Sequence, residues 1–159
     1  MRLILALLML LPMPAFAADY VNVRYGYAIE VPDGFVAQGE SDNGDGQMFK
    51  TPTAKLTVFG GNVMETDFES EVMARERLAE QDGWGITYNV STPDKASYSG
   101  KRGGRILYAR MIALCGGTQF AAFEFEYSKV DLQKFDPVVT QLVRSLRMTD
   151  GSANCTPRG

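Results

Sequence analysis

The chain contains no histidine. That absence excludes Ser–His–acid and Cys–His catalysis, histidine-ligated metal centres and a histidine-based pH switch. Cysteine is nearly as scarce, with only Cys115 and Cys155. Their wide spacing is unlike that of a Cys-x-x-Cys redox pair. Long apolar runs are missing as well. The run from Leu3 to Leu11 is the longest, about nine residues against the roughly 20 of a membrane-spanning helix. No stable membrane anchor is therefore expected. There is no excess of positive charge either. The formal net charge is −3, which argues against nucleic acid as a main partner.

The first residues have a recognisable layout. Arg2 precedes the apolar run, Pro12 and Pro14 break it, and Ala15-Phe16-Ala17 places small residues where a signal peptidase reads. Residues 1–17 are expected to form a cleavable secretory signal. No cysteine follows it to carry a lipid. The mature protein is then expected to be periplasmic or secreted. In that oxidising setting the default for Cys115 and Cys155 is one disulfide. It would close a loop of about 40 residues and contribute ~4 kcal/mol in the chain-entropy model. The length fits one domain, residues 18–148, followed by a polar tail, 149–159, tied down by Cys155.

Residues 20–31 read as two strands around a Tyr25-Gly26 turn, and Val31-Pro32-Asp33-Gly34-Phe35 ends the second. The polar, glycine-rich stretch 38–46 reads as a loop. Residues 47–51 and 55–63 read as a hairpin. In its second arm, Gly60-Gly61 suggests a bulge or a close backbone approach. Thr66 and Glu69 have capping-box spacing ahead of a helix with Phe68, Val72 and Ala79 on one face. Gly83 suits the left-handed position that ends it. Residues 86–91 and 96–99 read as short strands. Arg105 to Cys115 then alternates apolar residues on both faces, the pattern of a strand covered on two sides. Gly116-Gly117 turns it back into 119–127. A final helix is expected to start with Asp136 as N-cap and Pro137 at its first position, with a preceding turn at Leu132 and Phe135 as an alternative addition. The fold class is therefore α/β (α+β): a mainly antiparallel sheet with helices on both faces, a single-domain α/β/α sandwich.

Tyr25-Gly26-Tyr27, Ile29, Val31-Pro32-Asp33-Gly34-Phe35 and the stretch from Asp136-Pro137 to Ser145-Leu146 resemble the PsbP-like family of α/β/α sandwiches. The resemblance spans nearly all of the mature chain. It implies a non-catalytic exported accessory or assembly protein that binds a larger complex, with no catalytic residues to carry over.

Five groups of residues are candidate sites. Ser41, Asn43, Asp45 and Gly46 match early positions of a calcium loop, with Asp42 and Asp45 as carboxylate ligands, but Pro52 stands where the bidentate Glu is needed. Its bland reading is a turn. Lys101, Arg102 and Arg105 around Gly103-Gly104 form a candidate anion or partner patch, or else a solvated hairpin tip. Trp84, Tyr88 and Tyr98 are candidate aromatics of a ligand cleft, against a core role for Trp84. Glu124 and Glu126 point the same way from one strand, about 7 Å apart by strand geometry. They are either an acid–base pair, as in glycoside hydrolysis, or one wet face of the strand with Phe123 and Phe125 on the buried side. Pairing with Arg110 on the neighbouring strand is a further structural option. Cys115-Gly116-Gly117-Thr118 lacks a base to make a nucleophile of the thiol. The leading expectation is a non-catalytic accessory or binding protein of the bacterial cell envelope with a protein partner and no cofactor. The alternatives are a small-molecule or calcium-binding module and a carboxylate-based hydrolase.

Overall fold

A computed structural model describes residues 18–149 and Cys155; the expected signal, 1–17, lies outside the described residues, as does the tail beyond Thr149 apart from Cys155. The strands are β1 (Ala18–Asn22), β2 (Tyr27–Val31), β3 (Val36–Glu40), β4 (Gly46–Lys50) and β5 (Ala54–Asn62). Helix α1 (Phe68–Gln81) follows, then β6 (Gly85–Thr92), β7 (Lys95–Arg102), β8 (Arg105–Leu114) and β9 (Gln119–Ser128). Helix α2 (Leu132–Ser145) and a two-residue β10 (Arg147–Met148) complete the chain.

Seven strands form an antiparallel sheet in the order β3-β4-β5-β9-β8-β7-β6, and β1-β2-β10 form a second, three-stranded sheet. The central hairpin β8–β9 separates two cores. Ile106, Leu114, Ala121, Phe123, Phe125 and Tyr127 face β2 and α2. Leu107, Ala109, Met111, Phe120 and Ala122 face the other way, toward Phe68, Val72 and Ala79 of α1. The helices thus lie on opposite faces, as the double alternation of residues 105–115 requires. Among the described residues, no helix is long and apolar enough to cross a membrane.

Helix α1 starts one residue later than the Thr66 spacing suggests. Asp67 is its N-cap, and its carboxylate accepts the Ser70 N–H at 2.8 Å. A carboxylate at this end also favours the helix dipole. Gly83, with φ of 89°, ends the helix. The Gly83 and Trp84 N–H groups donate to the Glu80 and Ala79 carbonyls, and this turns Trp84 back into the core.

Two expectations fail for stated reasons. Residues 36–40 are a strand rather than the start of a loop. This is an exposed edge, irregularly paired, with no apolar alternation to reveal it. Asp136 is not the N-cap of α2: the turn at Leu132 and Phe135 belongs to the helix, which starts at Leu132 and makes Pro137 internal. Burial of Phe135 against Phe125 and Tyr127 favours the extra turn over the proline boundary. Residues 147–148 pair with β2 as β10.

At Gly60-Gly61 the β5–β9 register continues without a bulge. The glycines instead admit rings. A Cβ on Gly60 would lie 2.7 Å from Cγ of Tyr25, and one on Gly61 would lie 2.7 Å from Cζ of Phe120. The disulfide Cys115–Cys155 is present, with Cα atoms 5.2 Å apart. It fastens the tail to the β8–β9 turn.

Gly60→Ala should destabilise the protein by about 1–3 kcal/mol, the range for overpacking. The clash involves Tyr25 atoms next to the backbone, which have little room to move. A urea melt should show a lower midpoint at unchanged slope.

Candidate functional site: a carboxyl pocket beneath α1

The strand period of two decides where the charged residues of β8 and β9 point. Glu124 lies opposite Thr57 and Ala109, and Glu126 lies opposite Lys55 and Leu107. Both carboxylates therefore share the face on which α1 packs. Arg110 lies opposite Phe123, on the other face, and its Nη1 donates to Ser97 Oγ at 3.1 Å. It is not their partner, contrary to expectation. Glu126 is instead paired with Lys55, and Arg105 Nε lies 3.9 Å away.

The two carboxylates do not face open water. They line a pocket of 260 Å³ whose other walls include Arg75 and Leu78 of α1 and its C-cap Asp82, with Trp84, Arg102 and Leu107. Glu124 has no hydrogen bond or ion pair among the described residues. Burial raises its pKa, and the neighbouring Glu126 carboxylate adds to the rise; Lys55 and Arg75 oppose it. Two-carboxylate hydrolysis needs two carboxyl groups available to the substrate. Glu126 is held by its cations, so only Glu124 is free.

The other candidates are placed as follows. Trp84 and Tyr98 are buried in the core beneath α1, whereas Tyr88 is half-exposed opposite Ser99, on the far face. The three aromatics do not share one cleft. Lys101 is exposed, but Arg102 and Arg105 turn away from it. Arg102 stacks 4.4 Å over the Trp84 ring and donates to the Asp82 carbonyl at 2.8 Å, while Arg105 turns toward Glu126. The basic trio does not converge.

In the 41–46 loop, Asp45 accepts from Ser41 Oγ at 2.6 Å and from Asn43 Nδ2 at 2.7 Å. The Asp45 carbonyl accepts from Tyr27 Oη and the Gly60 N–H, and Gly44 O accepts from Asn22. The loop thereby clamps the small sheet to the large one. Among the described residues, no three His, Cys, Asp or Glu side chains are grouped to hold a metal ion.

Two features were not singled out from the sequence. Lys55 and Arg75 join the carboxylates only through strand pairing and helix packing, which leave no local signal. The second feature is β6, an edge strand with no buried residue, no charge and no proline. Residues 86–91 read as a strand, but neither its place at the edge nor the irregularity that turns Ile86 toward the α1 core and Tyr88 to the other face left a local mark.

Solved structures share this fold. Cyanobacterial PsbP (CyanoP) from Synechocystis superposes with a TM-score of 0.63 at 13% identity, covering 89% of this chain and 98% of that one. The chain has a PsbP-like fold. The Ran-binding protein Mog1p of Saccharomyces cerevisiae gives a TM-score of 0.61 at 11% identity, covering 85% of this chain and 96% of that one. LpqN, involved in cell envelope biogenesis of Mycobacterium tuberculosis, gives 0.56 at 11%, covering 83% and 90%. No protein-family model and no curated protein matches the sequence. At these identities the likeness is one of fold.

The raised pKa of Glu124 sets the sign of a pH effect. Its charge costs stability above the folded pKa, and the cost vanishes below the ordinary value near 4.5, where both states are protonated. Glu124→Gln should therefore be more stable than the native chain at pH 7. The gain should fade as pH falls toward 4.5. Thermal melts across that range check it; a pH-independent difference would contradict it.

Proposed function

We propose that this protein is a non-catalytic, exported accessory protein of the bacterial cell envelope that works by binding a protein partner. The single observation that carries the reading is the open edge of β6. Natural sheets blunt their edges with charge, proline, short length or bulges. Strand β3, at the opposite edge, is five residues long, irregularly paired and ends in Glu40. Strand β6 has eight residues, no charge and no proline, and one irregularity between Ile86 and Tyr88. Tyr88 and Val90, about half exposed, stand side by side on its outer face. Such an edge accepts an extended segment by strand addition: the backbone supplies affinity, and alternate side chains supply selection.

Other features agree with this reading. The signal-like residues 1–17 and the Cys115–Cys155 disulfide suit an oxidising compartment. Among the fold neighbours, Mog1p is described as Ran-binding and LpqN as involved in envelope biogenesis, both compatible with an accessory role. Glu126, held by two cations, weighs against hydrolysis.

The test uses crosslinking in the native envelope, comparing the mature protein with the Tyr88→Lys/Val90→Lys double variant. Exposed substitutions of this kind change stability by about 0.5 kcal/mol or less. A specific crosslinked partner should be recovered with the native chain and reduced at least tenfold with the variant. Equal recovery would contradict the β6 edge as the contact. Concentration-dependent dimers abolished by the same changes would show that a second copy of this chain takes the edge.

A further inference from the structure

We infer that the pocket beneath the C-terminal half of α1 binds an organic cation, an ammonium or guanidinium on an apolar stem, with Glu124 as the carboxylate that receives it. This goes beyond the β6 reading and does not depend on it.

The first argument is an account of charges at the pocket. Lys55 and Arg105 are both committed to Glu126. Arg75 Nε lies 3.0 Å from Glu71 Oε1, and its guanidinium lies 4.9 Å over Phe120. Arg102 gives one face to Trp84 and a hydrogen bond to the Asp82 carbonyl. Every lining cation is thus engaged. Glu124, by contrast, has a carboxyl turned to the pocket with no donor upon it. The cations and carboxylates named here balance in number, Asp82 included, but none of the N–H groups bonds to Glu124, so what that carboxyl lacks is a donor. An anion would have to displace an existing pair.

The second argument comes from the helix. A helix C-terminus carries partial negative charge, and cations there stabilise it. Helix α1 has no basic residue in its last turn; it has Glu80 there and Asp82 as its C-cap. That is the reverse of the stabilising arrangement. Arg102 already offsets part of the helix-end charge through the Asp82 carbonyl, but the Asp82 carboxylate lines the same pocket as Glu124, so two acidic side chains direct negative potential toward one place.

The third argument is shape. The pocket, at 260 Å³, is too small for a folded element and suited to a single side chain or a small amine. Leu78 supplies the main apolar surface for an alkyl stem, with Ala79, Leu107 and Trp84 buried beneath it. A cation arriving on such a stem would put its charge at Glu124 and cover Leu78, which is half exposed.

Two sources share this chemistry: the Lys or Arg side chain of a partner protein, and a free alkyl amine. Titration of the mature protein with three probes, followed by NMR, separates them. The probes are pentane-1,5-diamine, Nα-acetyl-lysine methylamide and Nα-acetyl-arginine methylamide, with Nα-acetylglycinate as the anionic control. Binding should shift the Trp84 indole and the Leu78 and Leu107 methyl signals, and lower the Glu124 carboxyl pKa. Saturation by the capped residues would identify a partner's side chain; saturation by the diamine alone would identify a free amine. Glu124→Gln should weaken binding at least tenfold and Asp82→Asn several-fold. The melts of Glu124→Gln show whether it remains folded, and its partner capture through β6 should be unchanged. No shifts at millimolar probe, affinity unchanged in Glu124→Gln, or preference for the anionic control would each overturn the assignment.

Discussion

Strands β8 and β9 turn apolar side chains to both sides of one sheet, and the rest of the molecule is arranged to cover them. Phe123 and Phe125 need one cover, supplied by β2 and α2. Phe120, Leu107 and Met111 need another, supplied by α1. Each core requires its own close approach. Gly60 admits the Tyr25 ring on one face, and Gly61 admits the Phe120 ring on the other. Two adjacent glycines on one strand thus serve two cores. Replacing either would press on a ring that has no free space beside it.

The same hairpin explains why a carboxyl is half buried. Glu124 and Glu126 occupy positions on β9 that share the α1 face with Phe120 and Ala122. Near the middle of the sheet that face is closed by Phe68 and Val72. Toward the other end of β9 it is finished by ions: Lys55 and Arg105 around Glu126, Arg75 against Glu71, Arg102 over Trp84. Glu124 lies at the transition, too deep for full hydration and too far from the cations to be paired. A purely structural design would be served as well by an apolar residue there. The unpaired carboxyl, beside a helix end that is also negative, marks the pocket as a receptor for positive charge.

The alternation of residues 105–115 made the two-sided strand legible, and with it the placement of the helices on opposite faces. The helix end at Gly83 and the Cys115–Cys155 pairing were legible too, because glycine chemistry leaves a local mark and the chain has only two cysteines to pair. The strand 36–40 was hidden because an exposed edge buries nothing and so shows no alternation. Asp136-Pro137 looked like a helix start. The anchoring contact is Phe135, and its burial depends on Phe125 and Tyr127, distant in sequence. The pocket was half legible: the spacing of Glu124 and Glu126 placed them together, but Arg110 was assigned to the wrong face. Lys55, Arg75 and Arg102 reach them only through tertiary packing.

A rigid, doubly covered centre thus contrasts with a β6 edge whose pairing groups remain available. Residue-resolved hydrogen exchange of the mature protein tests that contrast most directly. The slowest amides should lie in β5, β8 and β9 and open only with global unfolding. The outward amides of β6 should exchange fastest among the seven strands of the large sheet, β3 excepted. Protection in β6 equal to that in β8 and β9, or early opening of β8, would contradict the account.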